Sequence, residues 1–402
     1  MESAGTSRNK ELTILKAIGI IVVVSCHLGT SIFNLINLPI RSIGELFPEY
    51  SYHMPLFIFT SGYFYKRIYE SDLPKLAQKR FAAIKKYINC NLFYFVLCFA
   101  LINLGLYEKH IKFTLKSLFV EPFLGGFQFY FNGPAWFVPF LFLLQISYII
   151  IRKIVGSKFP SFSNKSDTTL KKEGILLAAL IITGFIAVGA SELCPVSNGK
   201  VNALQSFIRI LFGLQFFQLG FIYKQFIEKH IKLSLKSFLL VITCKLAILM
   251  LFGYYTFSLR IIKFNGHIIL PVVVSILGIA YCLHLAKFLM KITTQANSKL
   301  GAAISTTICT IGDNTWSIMM HHLLVKWSLG KIYDTAFMPD DLVPIAEYLI
   351  TPILCVLLPL LFVHLYQRFI NFEFTDLIKI KKIQPKLNAL APIIKSKFRF
   401  KF

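Results

Sequence analysis

The sequence predicts an all-α integral membrane protein of about ten transmembrane helices with both termini cytoplasmic, and three observations predict it. Of 402 residues, 55% are hydrophobic and only 15% charged, with a mean hydropathy of +0.64. A soluble domain carries about 25% charged residues, so polar side chains here are too few to cover a water-facing globule. The apolar runs are long enough for helices that cross about 30 Å of hydrocarbon, and they lack the ten-residue alternation of outer-membrane barrels. Lys and Arg gather in blocks between those runs, the arrangement that retains cytoplasmic loops.

Ten spans follow in order. The first, 12–33, comes directly after the polar segment MESAGTSRNKEL, which has no small-residue cleavage site and is therefore expected to stay attached. The second, 53–69, opens at His53 and closes at the basic SGYFYKR, and the third, 87–106, follows the basic KRFAAIKK. Spans at 135–154, 174–190, 203–223, 237–257 and 267–287 alternate with short polar connections, and 308–329 and 344–367 complete the set. With the N-terminus inside, 31 of the 43 Lys and Arg fall in cytoplasmic segments and 8 in outward loops, a bias that fixes the orientation. Residues 1–370 form one transmembrane domain, and 371–402 a basic cytoplasmic tail whose mixed cations and apolar residues suit an anionic leaflet or a plain topological anchor. Of the longest outward loops, 34–52 and 107–134, the second carries FLGGFQFYFNGPAW and is a candidate for dipping back toward the bilayer.

The net charge of +24 would suit nucleic acid only if the cations shared a folded, water-facing surface. They are spread over loops, so the expected macromolecular surface is the lipid bilayer and no nucleic acid is expected. Seven of the eight cysteines lie in apolar runs and none forms a CxxC pair, which excludes a disulfide framework and gives no metal-ligand pattern.

Ionisable groups inside spans are costly and so carry the functional signal. In LTILKAIGIIVVVSCH, Lys16 and His27 are eleven residues apart, which is three helical turns plus roughly 20° and a rise of about 16 Å. One face therefore presents a cation near the cytoplasm and, deeper in, an imidazole suited to act as a base. His53, Arg209 and His322 reach the same outer half of the bundle under this topology. Any one alone reads as an interfacial histidine or a snorkelling arginine, whereas their convergence points to a site. His321 points about 100° away from His322 and reads as a structural partner; Lys326 reads as snorkelling and Lys245 is ambiguous. The first span holds no acid beyond Glu11 that would orient His27, and Glu45 and Glu49 lie in the loop nearest His53.

These segments, LTILKAIGIIVVVSCH, YHMPLFIFTSGYFYK, KRFAAIKKYINCNLFYF, GPAWFVPFLF and IGDNTWSIMMHHLL, resemble in order and spacing the acyltransferase-3 family of membrane O-acyltransferases, and most closely its fucose 4-O-acetylase-like branch. The resemblance covers almost the whole chain. It implies transfer of an acetyl group from cytoplasmic acetyl-CoA to a sugar hydroxyl of a cell-envelope or surface glycan, in the cytoplasmic (inner) membrane. His27 matches the family's catalytic histidine. Lys16 stands where arginine is usual, keeping the charge without bidentate phosphate binding. His53, Trp136, Arg209 and His322 fall on recurrent motif positions; Arg209 and His322 are expected to assist catalysis and His53 and Trp136 to bind the acceptor. Beside Lys16, the basic segment 66–86, with Lys79 and Arg80, is expected to form the mouth for the anionic end of coenzyme A, although the family's RxxR pattern is not reproduced there: Arg80 is followed by Phe81, Ala82 and Ala83. An alternative from a different class is a multi-pass transporter or flippase for a glycan or lipid, with His27, Arg209 and His322 as a midplane site; it expects discontinuous spans and inverted repeats.

Overall fold

Polar residues just ahead of the apolar runs fix where the helices begin. Asn9 Oδ1 accepts from Leu12 N, Thr169 caps the helix that follows it, and Asn202 with Gln205 and Ser234 with Ser237 form reciprocal capping boxes. Each satisfies backbone N–H groups that the first helical turn leaves orphaned, which matters more where lipid offers no water. The computed structural model describes residues 9–28, 52–67, 73–108, 114–124, 129–159, 169–194, 202–230, 233–253, 255–295, 299–335 and 342–378.

The main helices are α1 (Lys10–Leu28), α2 (His53–Tyr63), α3 (Leu73–Asn103), α4 (Phe137–Lys158), α5 (Leu170–Leu193), α6 (Ala203–Ile222), α7 (Leu235–Phe252), α8 (Leu270–Gln295), α9 (Lys299–Asp313), α10 (Thr315–Thr335) and α11 (Thr351–Ile378). Among the described residues there is no β-strand, and eight helical stretches are long and apolar enough to cross a membrane. This is an all-α, multi-pass membrane protein.

Two expected spans are not continuous crossings. α2 has 11 residues, about 16 Å of helix against roughly 30 Å of hydrocarbon. The run 308–329 breaks at Asn314, where GDNT supplies four poor helix formers; the Asn314 N–H is shared between Thr310 O and Ile311 O, and its side chain bonds back to Thr310 O at 2.8 Å. The other shifts are at ends. α3 begins at Leu73, so the second half of the basic segment 66–86 is helical rather than a loop, and α7 stops at Phe252 because Gly253 turns the chain at φ +69°.

Backbones approach closely where glycines face a neighbour. Gly62 of α2 lies against Phe217 O of α6, Gly220 of α6 against Phe59 O of α2, and Gly312 of α9 against Thr13 O of α1; a Cβ at any of the three would collide with a carbonyl. Small residues do this in membranes because helices gain from van der Waals contact rather than from leaving water. α1 consequently sits in the interior, packed by α2, α8, α9 and α10, while no residue of α7 is buried.

Two polar clusters pin the half of the bundle that holds the start of α1. Arg152 of α4 makes a bidentate pair with Glu173 of α5 at 2.8 and 3.0 Å, Gln218 donates to Glu173 Oε2 at 2.8 Å, and Tyr148 donates to Gln218. Full satisfaction is what makes such a buried pair tolerable. At the helix ends, Tyr63 donates to Glu228 at 2.6 Å and accepts from Lys224 and Asn9 at 2.7 Å each, joining α1, α2 and the turn after α6.

Candidate active site

The last turn of α1 and the second turn of α10 bring two imidazoles together. The rings of His27 and His322 are 5.3 Å apart, edge to face at 71°. His27 Nδ1 lies 2.7 Å from Val23 O and His322 Nδ1 lies 2.8 Å from Ile318 O, each the carbonyl one turn earlier in its own helix. A carbonyl only accepts, so each Nδ1 carries the proton and each Nε2 keeps a lone pair. His322 is wholly buried, and its Nε2 has no hydrogen-bond partner among the described residues.

Lys326, one turn beyond His322, donates from Nζ to His27 O at 3.0 Å and Leu28 O at 3.1 Å. It does not snorkel: its ammonium satisfies carbonyls that the C-terminus of α1 leaves open and favours the negative end of that helix dipole. The same contact fixes where α10 stands relative to His27. His321, pointing elsewhere, lies 2.7 Å through Nδ1 from the Tyr94 hydroxyl, which donates to Met320 O at 2.8 Å, so the imidazole is the donor in this structural anchor.

A narrow pocket of about 20 Å³, room for a water-sized group, lies at His27. His53, Trp136, Ser258 and Arg260 also line it. His53 opens α2, and Trp136 ends a 3₁₀ turn, Tyr130–Trp136, in which the segment FNGPAW packs back into the bundle. That return is held by Asn132 donating to Asn91 at 2.8 Å and by Phe131 packed on Tyr107 and Trp327. Ser258 and Arg260 belong to a hairpin closed by Ser258 N–H to Lys263 O at 2.9 Å and the reciprocal bond at 3.1 Å. Phe257 and Phe264 of this hairpin pack on Phe212 of α6. Ile262 sits at φ +46°, a backbone cost of about 1–3 kcal/mol for a β-branched residue that the surrounding packing must hold.

Arg209 stands behind this wall rather than in it. Its guanidinium carbon is 4.6 Å over the Trp136 ring, its NH2 donates to Arg260 O at 2.7 Å, and it is only 2% exposed. One cation thus ties the tryptophan and the hairpin that face the pocket, through a cation–π contact and a charge-assisted hydrogen bond. Lys16 is half-buried in the second turn of α1. Lys79 and Arg80 lie early in α3, with side chains outside the described residues, as are Glu45 and Glu49 and the tail beyond Ile378. Among the described residues no group of three His, Cys, Asp or Glu side chains is placed to hold a metal.

Residues 9–364 match the acyltransferase domain of the acyltransferase-3 family. The chain belongs to that family. Comparison with curated proteins and with solved structures gave no match. The matched region of this membrane acyltransferase begins at the residue that caps α1 and ends within α11, so it encloses every side chain of the site. The residue that sequence reading missed in the acyltransferase is Arg260. Its signal was present, since it is one of two cations in a loop that the charge pattern assigns to the outward side, where the positive-inside bias gives no reason for a cation.

Proposed function

We propose that this acyltransferase moves an acetyl group from cytoplasmic acetyl-CoA to a hydroxyl of a sugar in a cell-envelope or surface glycan, at the inner membrane, with His27 as general base. The observation that carries the proposal is the 2.7 Å contact of His27 Nδ1 with Val23 O, which assigns the ring proton to Nδ1 and leaves Nε2 as the proton acceptor, beside a pocket lined by Trp136, His53 and Arg260. The acceptor hydroxyl gives its proton to Nε2 as its oxygen bonds to the thioester carbonyl carbon. The tetrahedral oxyanion then collapses, the carbon–sulfur bond breaks, and the imidazolium returns the proton to the leaving thiolate.

A base placed in this way supplies about 10²–10⁴ in rate. Arg260 is the cation on the pocket wall and acts as donor to the oxyanion, a role worth about 3–4 kcal/mol; Arg209 holds Arg260 and Trp136 in place. His322, buried against His27, keeps that ring oriented. Trp136 offers an indole to a sugar face, and Lys16 faces the anionic end of the donor.

The interrupted α9–α10 and the short α2 are features that a transport reading also foresees, and one assay separates the two. In membranes supplied with acetyl-CoA and an envelope glycan acceptor, His27→Ala at matched expression loses at least about a hundredfold in coenzyme A release. Wild-type turnover by that variant removes His27 as the base, and glycan translocation without coenzyme A release replaces acyl transfer with transport.

A further inference from the structure

On the stripe of α1 that carries Lys16 and His27 lies Ile20, one turn after the lysine and two turns before the histidine. Ile20 lines a second cavity of about 230 Å³, walled also by Phe57 of α2, Ile84 of α3, Leu141 and Gln145 of α4, and Trp316 of α10. Three helices agree on its depth. Trp316 precedes His322 by six residues in α10, and α4, which starts beside Trp136, reaches Gln145 roughly 12 Å farther toward the cytoplasm. The cavity therefore lies on the cytoplasmic side of the imidazole pair, between it and Lys16.

Its walls are almost wholly hydrocarbon, and the polar groups on them are the Thr315 hydroxyl, the Trp316 indole N–H and the Gln145 amide. Gln145 is 4% exposed, and its amide oxygen has no hydrogen-bond partner among the described residues. Buried polar groups are nearly always paired, and an orphaned one on a cavity wall calls for a partner that the ligand brings. A hydrocarbon chain would leave this carbonyl unpaired, and a sugar would leave its own hydroxyls unpaired against apolar walls. An arm of methylene groups interrupted by two amides offers an N–H to Gln145 and hydrocarbon to the apolar walls, and its few remaining polar atoms have the Thr315 hydroxyl and the Trp316 N–H as wall partners.

Length agrees with this. From thioester carbon to first phosphorus, the pantetheine arm has roughly fourteen bonds and extends about 17 Å, matching the rise of about 16 Å between Lys16 and His27. In that pose the amide farther from sulfur lies roughly 10 Å from the thioester carbon, near the depth of Gln145. We infer that this cavity holds the pantetheine arm of the acyl donor and that Gln145 accepts a hydrogen bond from the amide N–H farther from the sulfur. The inference rests on the acetyl-CoA reading above and makes Gln145 a donor-specificity residue.

Two donors test it with the full-length protein in membranes: acetyl-CoA, which has both amides, and S-acetyl-N-acetylcysteamine, which has only the amide nearer sulfur. Gln145→Met, which conserves volume, should raise KM for acetyl-CoA by three- to tenfold relative to KM for the truncated donor, about one net hydrogen bond. Leu141→Phe, which narrows the cavity without touching the amide, should raise KM for acetyl-CoA without abolishing wild-type preference for the second amide. An equal change for both donors, or no change, in Gln145→Met overturns the role of Gln145 while leaving acetyl transfer intact. A wild-type protein that releases thiol from neither donor overturns the donor reading and this inference together. Should Gln145→Met fail to accumulate, an unaltered acetyl-CoA KM in Leu141→Phe overturns the cavity's assignment by itself.

Discussion

α7 and α2 show how differently two apolar segments of one membrane protein are used. α7 runs 18 residues with no buried side chain, and Met250 and Leu251 are among the most exposed apolar side chains of the described residues. α2 is only 11 residues long, yet nine of them are buried and its glycine meets a carbonyl of α6. The first helix answers to lipid, which accepts any sufficiently apolar surface. The second answers to its neighbours, which accept only particular shapes. Side chains of the candidate site come from segments of the second kind: the end of the buried α1, the start of α2, the returning 3₁₀ turn, the hairpin after α7 and the broken pair α9–α10.

The largest break in that comparison is expected from backbone contact. Gly220→Val places a branched side chain where Phe59 O already stands, so folded protein recovered in mild detergent should fall severely, by more than the usual overpacking cost of about 1–3 kcal/mol. Leu251→Ala on the lipid face of α7 should leave both recovery and thermal midpoint within about 0.5 kcal/mol of wild type. Comparable losses for the two would mean that α7 is an interface rather than a lipid-facing helix.

A smaller effect tests the wall of the pocket. Arg209→Ala removes the cation over Trp136 and the bond to Arg260 O. Because Arg209 positions other groups, kcat for acetyl transfer should fall about ten- to a hundredfold while KM for acetyl-CoA stays near wild type. A change confined to donor KM would place Arg209 on the donor side instead. Among the site variants the smallest effect is expected from Lys326→Met, which opens two carbonyls at the end of α1. Losing this tether should lower kcat about three- to tenfold, with thermal stability down by about 1–3 kcal/mol. An unchanged kcat would show that α1 holds His27 without help from α10.

Much of the site is legible in the order of residues alone. The eleven-residue interval between Lys16 and His27 survives intact because both lie on one uninterrupted helix, where periodicity alone sets direction. His322 and Trp136 stand out as intramembrane polar and aromatic positions. Arg260 and Gln145 do not stand out in this way. Arg260 sits in a hairpin whose approach to His27 depends on Phe257 and Phe264 packing against α6, and Gln145 resembles any single polar residue in an apolar run. Lys326 is misread for the same reason, since snorkelling and capping differ only in what stands opposite the side chain.

By itself, the sequence determined that the chain is a helical membrane protein, which way its cationic loops suggest it is inserted, and which spans carry costly polar groups; hydrophobic length, loop charge and helical period are local quantities. Tertiary structure decided which polar groups meet. The contact between His27 and His322, the seat of Arg209 behind Trp136 and the orphaned amide of Gln145 beside a cavity arise where segments far apart in the chain cross, as α2 crosses α6 at Gly62 and Gly220 and α9 crosses α1 at Gly312. Those crossings rest on van der Waals contact between residues far apart in the chain, and no local pattern records them.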